Sequence, residues 1–154
     1  MKESELVLNN ILVKLFNNIL RIEEFALKSA PFNDLSITEM HTIEAIGIEK
    51  ARTMSEVALD LKITVGTLTT AINKLIKKGY VNRRRIEEDR RVVMIELTKK
   101  GTLAYKVHEK FHEEMIDHVL EELGVSEEEV LISSLDKLDK FFQKKLELMK
   151  SKEN

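Results

Sequence analysis

Small hydrogen-bonding side chains cover one face of a helix predicted from Thr64 to Lys78. This polar face consists of Thr64, Gly66, Thr67, Thr69, Thr70, Asn73 and Lys74. The opposite, inward face consists of Val65, Leu68, Ile72, Leu75 and Ile76. Threonine can approach base edges, thymine methyls and phosphates closely, and asparagine can pair with adenine. Because no Asp or Glu occurs between Lys62 and Ile86, we predict that the polar face contacts DNA.

Arginines follow this helix in two predicted strands, from Val81 to Ile86 and from Val92 to Leu97. Apolar residues alternate in the second strand, which favours a strand with one buried face. The tip between the strands contains Asp89, Arg90 and Arg91; an arginine there would enter the minor groove, and Asp89 would orient it. Further cations would approach phosphates, namely Lys74, Lys77, Lys78, Arg83 and Arg84. The alternative is a solvated polar hairpin without a DNA contact.

Two capping-box patterns place shorter helices before this region. Ser36 with Glu39 opens a helix that ends at Gly47, and Thr53 with Glu56 opens the next one. A helix, a turn, a second helix and a two-stranded ribbon then follow in order. This is the plan of a winged helix-turn-helix, in which one helix enters the major groove of DNA.

Long helical patterns lie on both sides of this unit, over residues 4–29, 103–123 and 130–150, the last opened by a capping pattern at Ser126. The first and last patterns are too apolar for one small domain, which favours a core shared by two subunits; an ordinary buried helix is the alternative for the first. We predict a mainly α fold with a small two-stranded β wing. The predicted domains are an N-terminal dimerisation helix (1–34), a DNA-binding domain (35–101) and C-terminal dimerisation helices (102–154).

Charge is distributed unevenly along this chain of 154 residues, whose net charge is -2. Residues 74–100 contain ten Lys or Arg against four Asp or Glu, whereas residues 113–136 contain nine acids and no Lys or Arg. A basic segment in an acidic chain indicates a local nucleic-acid surface. The absence of cysteine excludes disulfides and thiolate zinc fingers. Without a long apolar run or a signal-peptide pattern, we expect a cytoplasmic protein with no membrane partner.

The wing and the residues after it resemble the signature of MarR-type transcriptional regulators: Asp89-x-Arg91-x-x-x-Ile95-x-Leu97-Thr98-x-x-Gly101, with isoleucine at a usual leucine position. The order of helices matches that family along the whole chain. The resemblance implies that Arg91 reaches the minor groove and that Asp89 steadies the wing. Within the family, residues 16–29, 35–47 and 63–83 are most similar to fatty-acid synthesis repressors of the FabT type. That similarity implies an operator near fatty-acid genes and an acyl group on acyl carrier protein as co-repressor.

Histidines raise the question of a metal. Residues 108–112 match the H-E-x-x-H zinc-protease motif. A protease also needs a third ligand and a substrate cleft, and the motif lies on a helix with no sign of such a cleft, so we predict no enzyme and no catalytic residue. The resemblance extends to zinc-sensing members of the family, whose ligand positions match Glu24, His41, His108 and His112. These four residues either bind zinc or only form a polar cluster, and we assign them no metal and no cofactor.

These observations predict a sequence-specific DNA-binding regulator, a repressor that acts as a homodimer on a palindromic operator. Its two recognition helices would lie ~34 Å apart, and an effector, either a small molecule or acyl carrier protein, would change that spacing. The predicted DNA-binding residues are Thr64, Gly66, Thr67, Thr69, Thr70, Asn73, Lys74, Arg83, Arg84, Asp89, Arg90 and Arg91. The alternatives are a zinc-responsive regulator of the same fold and a winged-helix protein-interaction module without DNA binding.

Overall fold

The fold is mainly helical, as predicted, in a computed structural model that describes residues 2–29 and 31–151. The elements are α1 (Glu3–Ser29), α2 (Ile37–Ile46), β1 (Arg52–Thr53), α3 (Met54–Leu61), α4 (Val65–Lys77), β2 (Val81–Arg85), β3 (Val93–Leu97), α5 (Lys99–Glu121) and α6 (Val125–Lys150). The chain forms two compact units, residues 1–111 and 112–154. The predicted domain limits at residue 1 and at residue 154 lie outside the described residues. Among those residues, no helix is long and apolar enough to cross a membrane.

The wing belongs to a three-stranded antiparallel sheet with strand order β1-β3-β2. The prediction of two strands missed β1, in which Arg52 lies opposite Ile95 of β3. Across the other edge of β3, Ile95 lies opposite Arg83 of β2. Ile95 is fully buried, so this face of the sheet is turned toward the helices.

Short polar sequences start α2 and α3. The Ser36 hydroxyl accepts from the Glu39 backbone N–H at 3.2 Å, and the Glu39 carboxylate accepts from the Ser36 N–H at 2.9 Å. Thr53 and Glu56 form the same reciprocal pair at 3.1 and 2.8 Å. Both predicted capping boxes are therefore confirmed, and they fix the directions in which α2 and α3 leave their loops.

The last two helices begin at other residues than predicted. α5 begins at Lys99 rather than Leu103, because the Thr98 carbonyl and hydroxyl accept backbone hydrogen bonds from Thr102 and Gly101 at 2.8 and 3.1 Å. α6 begins at Val125, so Ser126 lies inside the helix and does not cap it. The Glu127 carboxylate instead accepts from the Gly124 N–H at 2.8 Å.

The core of the first unit lies among the short helices and the sheet. Leu68, Ile72 and Leu75 of α4 are fully buried, as their spacing predicted. Val65, predicted in the same stripe, is 44% exposed because it occupies the first turn of α4, beyond the edge of the core. This valine therefore belongs to the outer surface of the helix.

A polar cluster connects the end of α4 to the loop before α2. The buried Tyr80 donates its hydroxyl to Asp34 Oδ1 at 2.5 Å, and Lys78 Nζ donates to Glu39 Oε2 at 2.7 Å and to the Asp34 carbonyl. Lys100 Nζ lies 4.1 Å from the centroid of the Tyr80 ring. Burial, together with the hydrogen bond to Asp34, raises the pKa of the Tyr80 hydroxyl. The cluster fixes the C-terminal end of α4 in the first unit.

The ion pair between Glu39 and Lys78 makes stability depend on pH. Burial raises the pKa of Glu39, but hydrogen bonds from Lys78 and from the Ser36 backbone outweigh it, so the pKa lies below its usual 4.5. A lowered pKa contributes stability above the unfolded-state value, and that contribution is lost as pH falls through the folded-state value.

We expect Glu39→Gln to be less stable than the wild type by roughly 1 kcal/mol at pH 7, and the difference to shrink at an acidic pH below the usual 4.5. Glutamine retains the capping box, so the variant isolates the charge of Glu39. Urea unfolding at both pH values, at one protein concentration, measures the difference. An equal difference in the free energy of unfolding at both pH values would show that the ion pair with Lys78 does not contribute to it.

Candidate nucleic-acid interface

The predicted polar face of α4 is on the surface. Thr64, Gly66, Thr67, Thr70, Asn73 and Lys74 are exposed, and Thr69 is half-buried. The Thr69 hydroxyl donates to the Val65 carbonyl at 2.8 Å, and Thr64 and Thr67 share a hydrogen bond at 2.9 Å. Thr64 also accepts from the Thr67 backbone N–H at 3.1 Å and is therefore the N-cap of α4. The helix surface thus presents short side chains, which allow close approach of another molecule.

A groove of about 620 Å³ separates this helix from the wing. It is lined by Thr53, Met54, Ser55, Val65, Thr69, Arg83, Arg84, Arg85, Arg91, Val92 and Val93. The lining contains four arginines and no Asp or Glu, so the groove attracts anions. Its hydroxyl and guanidinium groups are the donors that commonly contact DNA phosphates.

The strand register separates the three successive arginines of β2. Arg83 and Arg85 lie opposite Ile95 and Val93, and therefore start from the face of the sheet that is turned toward the helices. Arg84 lies opposite Met94 and starts from the other face. Arg85 was not among the predicted contacts, although the period-two alternation of the strand pairs it with Arg83. Ser55, which also lines the groove, was not predicted, since a serine in the first turn of a helix has no distinguishing pattern.

An ion pair within the wing orients Arg91. Arg91 Nε and Nη2 donate to the two carboxylate oxygens of Asp89 at 3.0 and 3.2 Å, and the Arg91 N–H donates to Asp89 Oδ1 at 3.1 Å. The hydrogen bond from the Arg91 side chain, and then that from its backbone, hold the pKa of Asp89 below its usual range. Arg85 Nη1 donates to the Arg90 carbonyl at 3.2 Å and braces the same loop. The Arg91 side chain is 92% exposed, so it projects from the tip already oriented.

A hydrogen bond joins the polar face of α4 to β2. Arg83 Nη1 donates to Asn73 Oδ1 at 2.9 Å. Asn73 and Arg83, predicted as separate DNA contacts, therefore lie together at one point on the surface.

Lys78 was predicted to approach DNA phosphates, but its side chain points to a partner within the protein. Its ammonium group forms the ion pair with Glu39, and its side chain is 32% exposed. This arrangement was not predicted because Glu39 precedes Lys78 by 39 positions. Lys74 and Lys77 are exposed on α4.

The candidate metal ligands are arranged differently from the prediction. Glu24 is exposed, whereas its neighbour Glu23 is 4% exposed and its carboxylate lies 3.7 Å from His41 Nε2. His108 is also buried, and Glu23, His41 and His108 each place one donor atom within 4.8 Å of the others. His112 belongs to the second unit. The helical face of α1 thus selects Glu23 in place of Glu24.

Comparison with known proteins identifies the family. A family model described as transcriptional regulator SarA/Rot matches residues 28–109. The chain is 32% identical over 107 residues to the HTH-type transcriptional regulator BilQ of Clostridium symbiosum, a match that covers 69% of this chain and 74% of BilQ.

Two solved structures are similar along nearly the whole chain. The crystal structure of Streptococcus pneumoniae FabT in complex with DNA is 41% identical, with a TM-score of 0.87, covering 91% of this chain and 98% of that one. A MarR protein from Peptoclostridium difficile shares the fold at 21% identity, with a TM-score of 0.74 and coverage of 94% and 91%. The predicted resemblance to MarR-type regulators, and among them to FabT, is confirmed. The chain belongs to the MarR family of winged-helix transcriptional regulators and is a DNA-binding regulator.

Proposed function

We propose that the exposed face of α4 enters the major groove of an operator while the wing tip enters the adjacent minor groove. The observation that carries this proposal is the acid-free polar face of α4 beside a groove lined by four arginines. Thr64, Gly66, Thr67, Thr69 and Thr70 would approach base edges and phosphates at the N-terminal end of the helix. Arg91, oriented by Asp89 and accompanied by Arg90, would enter the minor groove, whose negative potential attracts arginine. Lys74, Arg84, Arg85 and Ser55 would contact phosphates.

The regulator would act as a homodimer. Large apolar side chains remain exposed along α1, including Phe16 at 60% and Phe25 at 71%. α6, taken by itself, has no buried residue, and Phe141 and Leu148 are each 56% exposed. Apolar faces of this size indicate an interface, and a two-fold dimer buries the same patch on both copies. We therefore assign residues 1–34 and 102–154 to dimerisation and residues 35–101 to DNA binding.

The operator would be a palindrome, and the regulator bound to it would repress fatty-acid synthesis genes in the cytoplasm. Support for this gene class comes from the similarity to FabT at 41% identity. The effector would be a small molecule or an acyl group carried by acyl carrier protein. It would act by changing the distance between the two recognition helices.

Selection of genomic fragments bound by the purified protein tests the operator and the gene class together. We expect enriched fragments to share a palindrome whose half-sites are about 10 base pairs apart, upstream of fatty-acid synthesis genes. A palindrome near unrelated genes would contradict the gene class alone. Bound fragments without any shared sequence would contradict the operator.

A zinc-responsive regulator is a second candidate, favoured by the arrangement of Glu23, His41 and His108. Two imidazoles and a carboxylate suit zinc, and ligands at about 2.1 Å in a tetrahedron lie about 3.4 Å apart, so the ion would draw these donors closer. Calorimetric titration with zinc tests the cluster in wild type, Glu23→Gln and the matched control Glu24→Gln. Zinc uptake that falls in Glu23→Gln and in His108→Ala but not in Glu24→Gln would support the site, while uptake equal to wild type in all three variants would eliminate it.

A further inference from the structure

The contact between Asn73 and Arg83 changes what each residue can read on DNA. Asparagine recognises adenine through two hydrogen bonds: its Oδ1 accepts from the adenine amino group, and its Nδ2 donates to N7. Here Asn73 Oδ1 already accepts from Arg83 Nη1 at 2.9 Å. The acceptor that adenine would need is therefore aimed at a guanidinium group.

The position of Arg83 follows from the sheet. Its partner across the ladder is the fully buried Ile95, so the Arg83 side chain starts on the face turned toward the helices. Its guanidinium then meets Asn73 on the exposed surface of α4. Arg84 starts from the opposite face, opposite Met94. Of these two neighbouring arginines, the register thus directs Arg83 toward the recognition helix.

The chemistry of arginine allows this contact and a second one together. A guanidinium has five N–H donors in a planar fork, and the bond to Asn73 occupies one of them. The remaining donors can form the bidentate pair with guanine O6 and N7, the commonest specific contact in the major groove. Holding the fork in place beforehand reduces the conformational entropy lost on binding.

We propose that Asn73 and Arg83 form one guanine-reading unit, in which Arg83 contacts the base and Asn73 positions Arg83. The inference rests on the proposed entry of α4 into the major groove. It assigns Arg83 to a base edge instead of a phosphate, and it makes Asn73 a positioning residue instead of an adenine reader.

Selection from a pool of randomised duplexes tests the role of Arg83. We expect wild type to enrich a guanine at one position of each half-site, and Arg83→Ala to lose that preference by about 10- to 100-fold at that position. Arg83→Lys, which keeps the charge and loses the fork, should reduce the preference less than Arg83→Ala does. Arg84→Ala should weaken binding to all sequences and keep the guanine. The same base preference in wild type and Arg83→Ala would overturn the inference.

Two substitutions of Asn73 distinguish positioning from reading. Asn73→Asp keeps an acceptor for Arg83 and removes the amide donor that adenine recognition requires, so we expect the guanine preference to survive although added negative charge weakens binding overall. Asn73→Ala should reduce the preference, while circular dichroism and thermal unfolding confirm an intact fold. Equal loss in Asn73→Asp and Asn73→Ala, or an adenine enriched by wild type at this position, would overturn the inference. No enrichment of any sequence by wild type would overturn the proposed function and the inference with it.

Discussion

Gly101→Ala should destabilise the protein by about 3 kcal/mol, because the start of α5 lies directly against the backbone of Tyr80. A Cβ built at Gly101 would overlap the Tyr80 carbonyl oxygen and lie 3.2 Å from Leu97 Cβ. The carbonyl has little freedom to move, since it accepts a hydrogen bond from the Thr98 N–H at 3.0 Å. Tyr80 itself is fully buried, so the strain would spread into the core. Alanine's higher helix propensity offsets at most about 1 kcal/mol of this cost.

Gly66→Ala provides the matched control for this substitution. Gly66 is also helical, but a Cβ there would have only the Thr64 hydroxyl near it, at 3.9 Å. We expect this variant to be as stable as the wild type, or more stable by up to about 1 kcal/mol. Urea unfolding of the three proteins at one concentration measures the difference. A Gly101→Ala protein within about 0.5 kcal/mol of wild type would contradict the close packing of α5 on Tyr80.

Arg91→Ala should lower operator affinity by about 10- to 100-fold while the dimer remains intact. The wing would lose the guanidinium that it projects toward the minor groove, and a charged contact of this kind is worth roughly 1–3 kcal/mol. Arg90→Ala is the comparison and should cost less affinity, because it removes a guanidinium that Asp89 does not orient and keeps the Arg90 carbonyl that Arg85 contacts at 3.2 Å. Duplex titration at fixed salt measures affinity, and sedimentation measures the oligomer. Unchanged affinity in Arg91→Ala would remove the wing from DNA binding.

A double-mutant cycle separates the roles of Asp89 and Arg91. Asp89 accepts three hydrogen bonds from Arg91, and its own charge repels phosphate, so its benefit to DNA binding should act through Arg91 alone. Asp89→Ala should therefore weaken binding in the wild type and leave it unchanged or tighter in Arg91→Ala. Equal weakening in both backgrounds would show that Asp89 acts independently of Arg91.

Local signals in the sequence were sufficient for the starts of α2, α3 and α4 and for the two strands of the wing. Ser36, Thr53 and Thr64 accept hydrogen bonds from residues three positions later, a distance within which side-chain type determines the contact. The apolar alternation in β3 likewise reflects its own two faces. The prediction that the protein binds DNA also came from local sequence, because the charge and size of the side chains on α4 follow directly from their residue types.

Contacts between distant residues could not be predicted in this way. β1 has two residues, too few for a period, and it exists because Arg52 and Thr53 pair with β3 about 40 positions later. Tyr80 and Asp34 are separated by 46 positions, and only the folded chain places them together. The resemblance that pointed to Glu24 did not distinguish it from Glu23, since adjacent positions differ by about 100° around a helix and the packing of α1 decides which is buried. The contact between Asn73 and Arg83 required the strand register as well.

The most direct test of DNA binding through α4 and the wing is duplex affinity measured against salt concentration. If the dimer neutralises roughly 6–10 phosphates, affinity should fall by about 10³- to 10⁵-fold between about 50 and 200 mM salt, and Arg84→Ala should make the slope shallower. No binding to duplex DNA at any salt concentration would contradict the account and favour a winged-helix module that binds protein.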